Sequence, residues 1–119
     1  SAASDVYKRQ YDIFVGGWFS DYNDPLDFLN VMKTGVYDSY GLYSNSEYDS
    51  LIDSLTGEND NAKRLEIYQK LEDLLVAQDC GVAPLYYSDK HYYYQNWVKD
   101  FYTSSFGASQ ELYRASVQK

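Results

Sequence analysis

The sequence predicts an α/β fold, and three observations carry that expectation. A short apolar run, Ile13-Phe14-Val15, is followed by two glycines and then by a helix start at Pro25-Leu26. A long stretch from Asn61 to Gln78 repeats its apolar residues at helical spacing. After Cys80-Gly81 the pattern changes to short apolar and aromatic runs separated by polar turns. Together they give three helices and about five strands.

Tyr11 to Val15 reads as the first strand, buried by its apolar content. The loop Gly16–Asp24 leads into a helix over Pro25 to Lys33, with Leu26, Leu29 and Met32 along one side. Asp24 suits the N-cap, Pro25 the first helical position, and Asp27 the positive end of the helix dipole. Thr34-Gly35 stops this helix, and Val36 to Ser44 is a loop. Ser46, with Asp49 three residues on, predicts a capping box for a second helix whose apolar side is Tyr48, Leu51, Ile52 and Leu55. Gly57 ends it.

The polar turn Glu58 to Asn61 caps the longest helix. Leu65, Tyr68, Leu71 and Leu75, joined by Ile67, Leu74 and Val76, give it a broad apolar face that predicts packing onto a sheet. Val82 to Tyr87 reads as a strand, Ser88 to Lys90 as a turn and His91 to Tyr94 as the return. Trp97 to Tyr102 continues extended, and Leu112-Tyr113 starts a final short strand.

The chain has 119 residues, enough for one small domain. Its formal charge of -8 lacks the basic face that nucleic-acid binding needs and disfavours an anionic membrane surface. No run is long enough to span a bilayer. The single cysteine, Cys80, rules out an internal disulfide and reads as a small buried hydrophobe at a helix end. His91 is the only histidine and has no partner at metal-ligand spacing, so neither a metal site nor a cofactor is expected. Fifteen tyrosines fit either a wet cleft wall or strands chosen for β propensity.

The loop after the first strand holds the candidate site, because α/β proteins bind ligands where strands end. Capping accounts for Asp24 and Asp27, which leaves Trp18 and Asp21. Read from the residue, Asp21 suits an Asx turn. Trp18 suits a core position under the loop, against the cleft-lining role that the resemblance below implies, and Phe19 and Ser20 are its neighbours. An alternative reading pairs Asp21 with Asp24 as the two carboxylates of a glycosidase-like enzyme in an aromatic cleft.

Four blocks in order resemble one family. Gly17-Trp18-Phe19-Ser20-Asp21-Tyr22-Asn23-Asp24-Pro25 is similar to its Trp-x-x-Asp-Tyr-x-Asp-Pro signature, and Tyr48-Asp49-Ser50-Leu51-Ile52 to a Tyr-Asp-x-Leu-Ile segment. Arg64 to Asp79 resembles its Arg-x-x-x-Tyr helix, and Pro84-Leu85-Tyr86-Tyr87 its Pro-Leu-Tyr-Tyr strand. The family is that of the extracellular solute-binding proteins of oligopeptide ABC transporters, and the match is to their C-terminal part. The resemblance implies a fragment of a two-lobed periplasmic-binding-protein-like (type II) fold. Residues 11–97 would be a second-lobe segment carrying the ligand-cleft loop, and 98–119 the return crossing to the first lobe. Residues 1–10 resemble a translated assembly linker.

It further implies a binding protein, not an enzyme, that takes short peptides and passes them to the membrane subunits of an ABC importer. The location would be extracytoplasmic, periplasmic or lipid-anchored. Asp21 would pair with the α-ammonium of the peptide, and Trp18, Phe19 and Ser20 would line the cleft beside it. Val15 and Ser88 depart from relatives that carry arginine and tyrosine there, which removes two ligand contacts those relatives make.

Overall fold

The computed structural model describes residues 13–36, 42–106 and 114–118. Two units form along the chain, and each has its own internal contacts. The first contains the described residues up to Trp18 and Asp24–Pro84; the second contains Phe19–Asn23 and the described residues from Leu85 on.

The first unit is helical. Helix α1, Leu26–Leu29, begins because the Asp24 carboxylate accepts from the Leu26 N–H at 2.8 Å, just after Pro25 has entered the helical region with φ -54°. It tightens into a 3-10 turn, Asn30–Met32, and stops where Lys33 turns extended. Helix α2, Ser46–Ser54, is capped by Asn45 and not by Ser46. Asn45 is extended, with φ -148°, and its Oδ1 accepts from Glu47 N at 2.8 Å and Tyr48 N at 3.1 Å. Asp49 is therefore released from the expected capping box, and its carboxylate takes the Thr34 N–H at 3.0 Å. Gly35 (φ +79°) and Gly57 (φ +84°) follow the first two helical segments in the left-handed conformation that favours glycine.

Helix α3, Asn61–Glu72, is capped by Asp60, whose Oδ1 accepts from Ala62 N at 2.9 Å. It continues as a π-helical stretch, Asp73–Gln78, in which Asp79 N donates to Leu74 O at 2.9 Å. Gly81 N then reaches back to Leu75 O at 2.8 Å, one residue further than the bond of a Schellman ending, as suits a π-helical last turn. That ending puts Cys80 in the left-handed region, φ +51°, and leaves it exposed. The expectation of a buried cysteine is corrected accordingly, because the left-handed residue that ends the helix lies past the packed face.

The core of the first unit is Leu29, Val31, Met32, Tyr48, Ile52, Leu55, Tyr68, Leu71, Leu74 and Leu75, with Trp18, Leu26, Tyr43, Leu51, Ile67 and Val82 packed against it. Tyr48 is fully buried and its hydroxyl donates to Leu29 O at 2.8 Å, tying α2 to the end of α1. Helix α3 packs against α2 and α1 where a sheet was expected, and Leu65, at the margin of the predicted apolar face, is 57% exposed.

The strands are the larger correction. Among the described residues there are two, β1 (Val98–Lys99) and β2 (Ser116–Val117), against about five expected. They pair antiparallel in the second unit, with Val98 opposite Val117 and Lys99 opposite Ser116. Val82 to Tyr87 and His91 to Tyr94 form no ladder, and neither does Ile13 to Val15, which was expected to be buried. Ile13, Val15 and Leu85 are largely exposed. A strand needs a hydrogen-bonded neighbour on at least one side, and the described residues show no ladder at these segments. Residues 11, 12, 112 and 113, the ends of two expected strands, lie outside the described residues, as do residues 1–10. In the second unit, Phe101 contacts Tyr94 and Tyr92 with ring centroids 5.0 and 6.2 Å apart.

Candidate functional site

The loop singled out by sequence starts at Trp18, which the fold uses twice. Its ring packs against the core of the first unit, and its Nε1 donates to Asp27 Oδ2 at 3.3 Å. Asp27, expected only as a dipole partner, is buried at 8% exposure, where an acceptor role toward an indole N–H satisfies one of its oxygens. Trp18 thus packs at the core position under the loop that the sequence offered as one of its two readings, with a bond to Asp27 that the sequence did not indicate.

Phe19, Ser20 and Asp21 belong to the second unit. Phe19 is 60% exposed, and the Lys90 ammonium lies 4.5 Å from its ring centroid. A cation over an exposed aromatic face contributes about 0.5–1 kcal/mol. The Ser20 hydroxyl donates to the Tyr22 carbonyl, a local turn bond. Asp21 is exposed. Tyr22 beside it is 48% exposed. Of the four candidates, Trp18 is therefore in one unit and the other three in the other.

At the far end of the loop, Asp24 is the centre of a network. Its Oδ1 accepts from Leu26 N and from the Tyr68 hydroxyl at 2.6 Å, and its Oδ2 from Arg64 Nη2 at 2.8 Å. Arg64 Nη1 in turn donates to the carbonyls of Leu55 and Glu58, at 3.3 and 3.2 Å. Burial by itself raises the Asp24 pKa, but the bonds from Tyr68 and Leu26 and the Arg64 charge outweigh it and hold the group below its ordinary value. The same pair acts on Tyr68, whose pKa is pushed up to about 12 by burial and by the Asp24 carboxylate. Sequence reasoning missed Arg64 and Tyr68 as partners of Asp24. Their i,i+4 spacing on the longest helix puts the two side by side but carries no pointer to Asp24.

This network corrects the enzyme alternative. A glycosidase pair needs one carboxyl kept protonated as the acid, with its oxygens open toward substrate. Asp24 is shifted the other way and spends its oxygens on three donors of its own chain. Elsewhere, His91 is exposed, and the described residues contain no group of three or more His, Cys, Asp or Glu side chains that could hold a metal ion. No helix among them is long and apolar enough to cross a membrane.

Comparison with known proteins gives the frame for these parts. No family model matches the chain. The oligopeptide-binding protein OppA of Bacillus subtilis is 32% identical over 97 residues, which is 80% of this chain and 16% of that protein. The periplasmic oligopeptide-binding protein OppA of Salmonella typhimurium is 32% identical over 92 residues, 77% of this chain and 17% of that one. Among solved structures, the substrate-binding domain of an oligopeptide ABC transporter from Bacillus anthracis superposes with a TM-score of 0.82 at 30% identity, over 98% of this chain and 23% of the other. The chain therefore spans about a sixth of the length of the curated relatives it matches.

Proposed function

Because the chain belongs to the family of oligopeptide-binding proteins that act as substrate-binding components of ABC transporters, we propose that the protein carrying it captures short peptides and delivers them to an ABC importer. The observation that carries this reading is the match of nearly the whole chain, at 30% identity and a TM-score of 0.82, to a solved substrate-binding domain of that kind. Capture takes place outside the cytoplasm, and no covalent step is involved. Main-chain groups and the terminal ammonium are common to all peptides, so pairing with them gives affinity without demanding a particular sequence.

Asp21 supplies the counter-charge for that ammonium. A peptide amine taken out of water needs an anionic partner, since an unpaired buried charge is very costly. Phe19 and Ser20, in the same unit as Asp21, form the neighbouring wall. Phe19 offers an exposed ring there.

The test is calorimetry on the intact protein that carries this segment, with trialanine and N-acetyl-trialanine as ligands. Breaking a buried charge pair costs about 3–5 kcal/mol. Asp21→Asn should therefore weaken trialanine by roughly two to four decades, at about 1.4 kcal/mol per decade. The acetylated peptide should bind poorly to both forms. Equal affinity of wild type and variant for trialanine would remove Asp21 from the site.

A further inference from the structure

The Phe19–Asn23 loop shares its unit with the described residues from Leu85 on, so Lys90 and the loop are parts of the same unit. They meet where the Lys90 ammonium stands 4.5 Å from the centroid of the Phe19 ring. Both residues are exposed. The ring attracts the ammonium from one side only, and the N–H donors on the other side stay open to an acceptor. Among the described residues no carboxylate, that of its exposed neighbour Asp89 included, forms an ion pair with Lys90; the pairs there are Lys33–Asp53, Lys63–Glu58 and Arg64–Asp24. Lys99 of the same unit differs, since its ammonium donates to Asn96 O at 2.7 Å.

Phe19 stands two residues before Asp21, and two residues span at most about 7 Å. A cation on the Phe19 ring is therefore within reach of the first two side chains of a peptide whose ammonium Asp21 holds, because those side chains branch from a similar length of chain. The chain as a whole carries a formal charge of -8, which repels acidic ligands at long range. A local cation beside the site reverses that sign where the first side chains lie.

We propose that Lys90, seated on Phe19, is a specificity-determining residue of the peptide site: it favours peptides with an acidic side chain among their first two residues and disfavours those with a basic one. This rests on the peptide-binding reading above. Discrimination comes from both signs of the interaction, attraction to Glu or Asp and repulsion of Lys.

The experiment titrates wild type, Lys90→Gln and Lys90→Arg, each in the intact protein that carries this segment. The ligands are trialanine, Ala-Glu-Ala, Ala-Gln-Ala, Ala-Lys-Ala, Asp-Ala-Ala and Asn-Ala-Ala. The readout is the affinity ratio of each acidic peptide to its amide twin, which a purely structural role of Lys90 would leave unchanged. Wild type should prefer the acidic member of at least one pair by about two- to fivefold, the size of an exposed ion pair. Lys90→Gln should bring that ratio to about one and strengthen Ala-Lys-Ala relative to Ala-Gln-Ala. Lys90→Arg keeps the charge and the cation over the ring, so it should keep the ratio. Raising the salt to about 1 M, where screening acts within about 3 Å, should also bring the wild-type ratio close to one. Equal affinity within both pairs in wild type, or the same ratio in Lys90→Gln as in wild type, would overturn the charge preference alone while trialanine still binds. A ratio lost as fully in Lys90→Arg as in Lys90→Gln would overturn it too, since charge would not be its cause. A wild type that binds none of the six peptides would sink the peptide-binding reading and this proposal with it.

Discussion

Tyr48 and Tyr68, between Asp24 and Pro84, are buried to 0% and 9% exposure, whereas Tyr87 and Tyr93, beyond Leu85, stand at 100% and 94%. The residue type is the same, and what differs is how each backbone satisfies itself. A helix makes its hydrogen bonds internally and needs only a partner for its apolar stripe, which α1, α2 and α3 provide for one another. An extended segment must find its bonds in another strand before its side chains can be sheltered, and the described residues of the second unit show one ladder of two residues per strand. Aromatic content alone therefore builds a core in the first region and an exposed surface in the second.

The sharpest way to break this contrast is to cut the core of the first region. Leu71→Ala, at a fully buried position in α3, should cost about 2–5 kcal/mol through lost transfer energy and a residual cavity. Urea unfolding followed by far-UV circular dichroism reads it, and a cost below 1 kcal/mol would mean the helices do not form the core described.

Next in size is Asp24→Asn, which removes a charged acceptor from Arg64 and Tyr68 and should cost about 1.5–3 kcal/mol near neutral pH. The folded pKa of Asp24 lies below its ordinary value, so its contribution is complete above the unfolded pKa and fades as pH falls through the folded one. The gap between wild type and variant should thus narrow on acidification, in melts taken at a series of pH values. A gap that widens would contradict the network.

Asn45→Ala should cost about 1 kcal/mol, because α2 loses the oxygen that accepts from Glu47 N and Tyr48 N. Ser46→Ala, one residue later, should cost distinctly less, and the reverse order in thermal unfolding would return the cap to the position read from sequence. The smallest effect is expected at Tyr87→Ala, within about 0.5 kcal/mol of wild type, as for exposed positions generally. A larger loss of stability there would show the second region sheltering more than its exposures indicate.

The helices were legible because their signals are local. Periodicity found Tyr48, Ile52, Leu55, Leu71 and Leu75, and polar turns marked Gly35, Gly57 and Asp60 as their ends. The cap at Asn45 was misread by one residue, since Asn and Ser are both good caps and only the backbone angle of Asn45 separates them. Strands were over-read because apolar alternation reports a willingness to pair and says nothing about whether a partner is at hand. In the candidate site, Asp24 at the start of α1 was foreseen, but its tie to Arg64 and Tyr68 joins residues 40 and 44 positions apart and has no local trace. The core position of Trp18 was one of its two readings, but its bond to Asp27 was not foreseen, as Asp27 already had a sufficient role at the helix start.

The π-helical stretch after α3 has a consequence for how this chain tolerates changes in length. A turn closed five residues back holds one residue more than an α turn, so Asp73–Gln78 stores a spare residue inside a continuous helix. Dropping one exposed residue there, such as Ala77, would let the stretch relax to ordinary α geometry while its ends keep their separation in hydrogen-bonded turns. The same deletion within Asn61–Glu72 would rotate Tyr68 and Leu71 away from the core. Two parts of one helix thus differ in what they can lose: the first half is locked in phase, and the second carries slack.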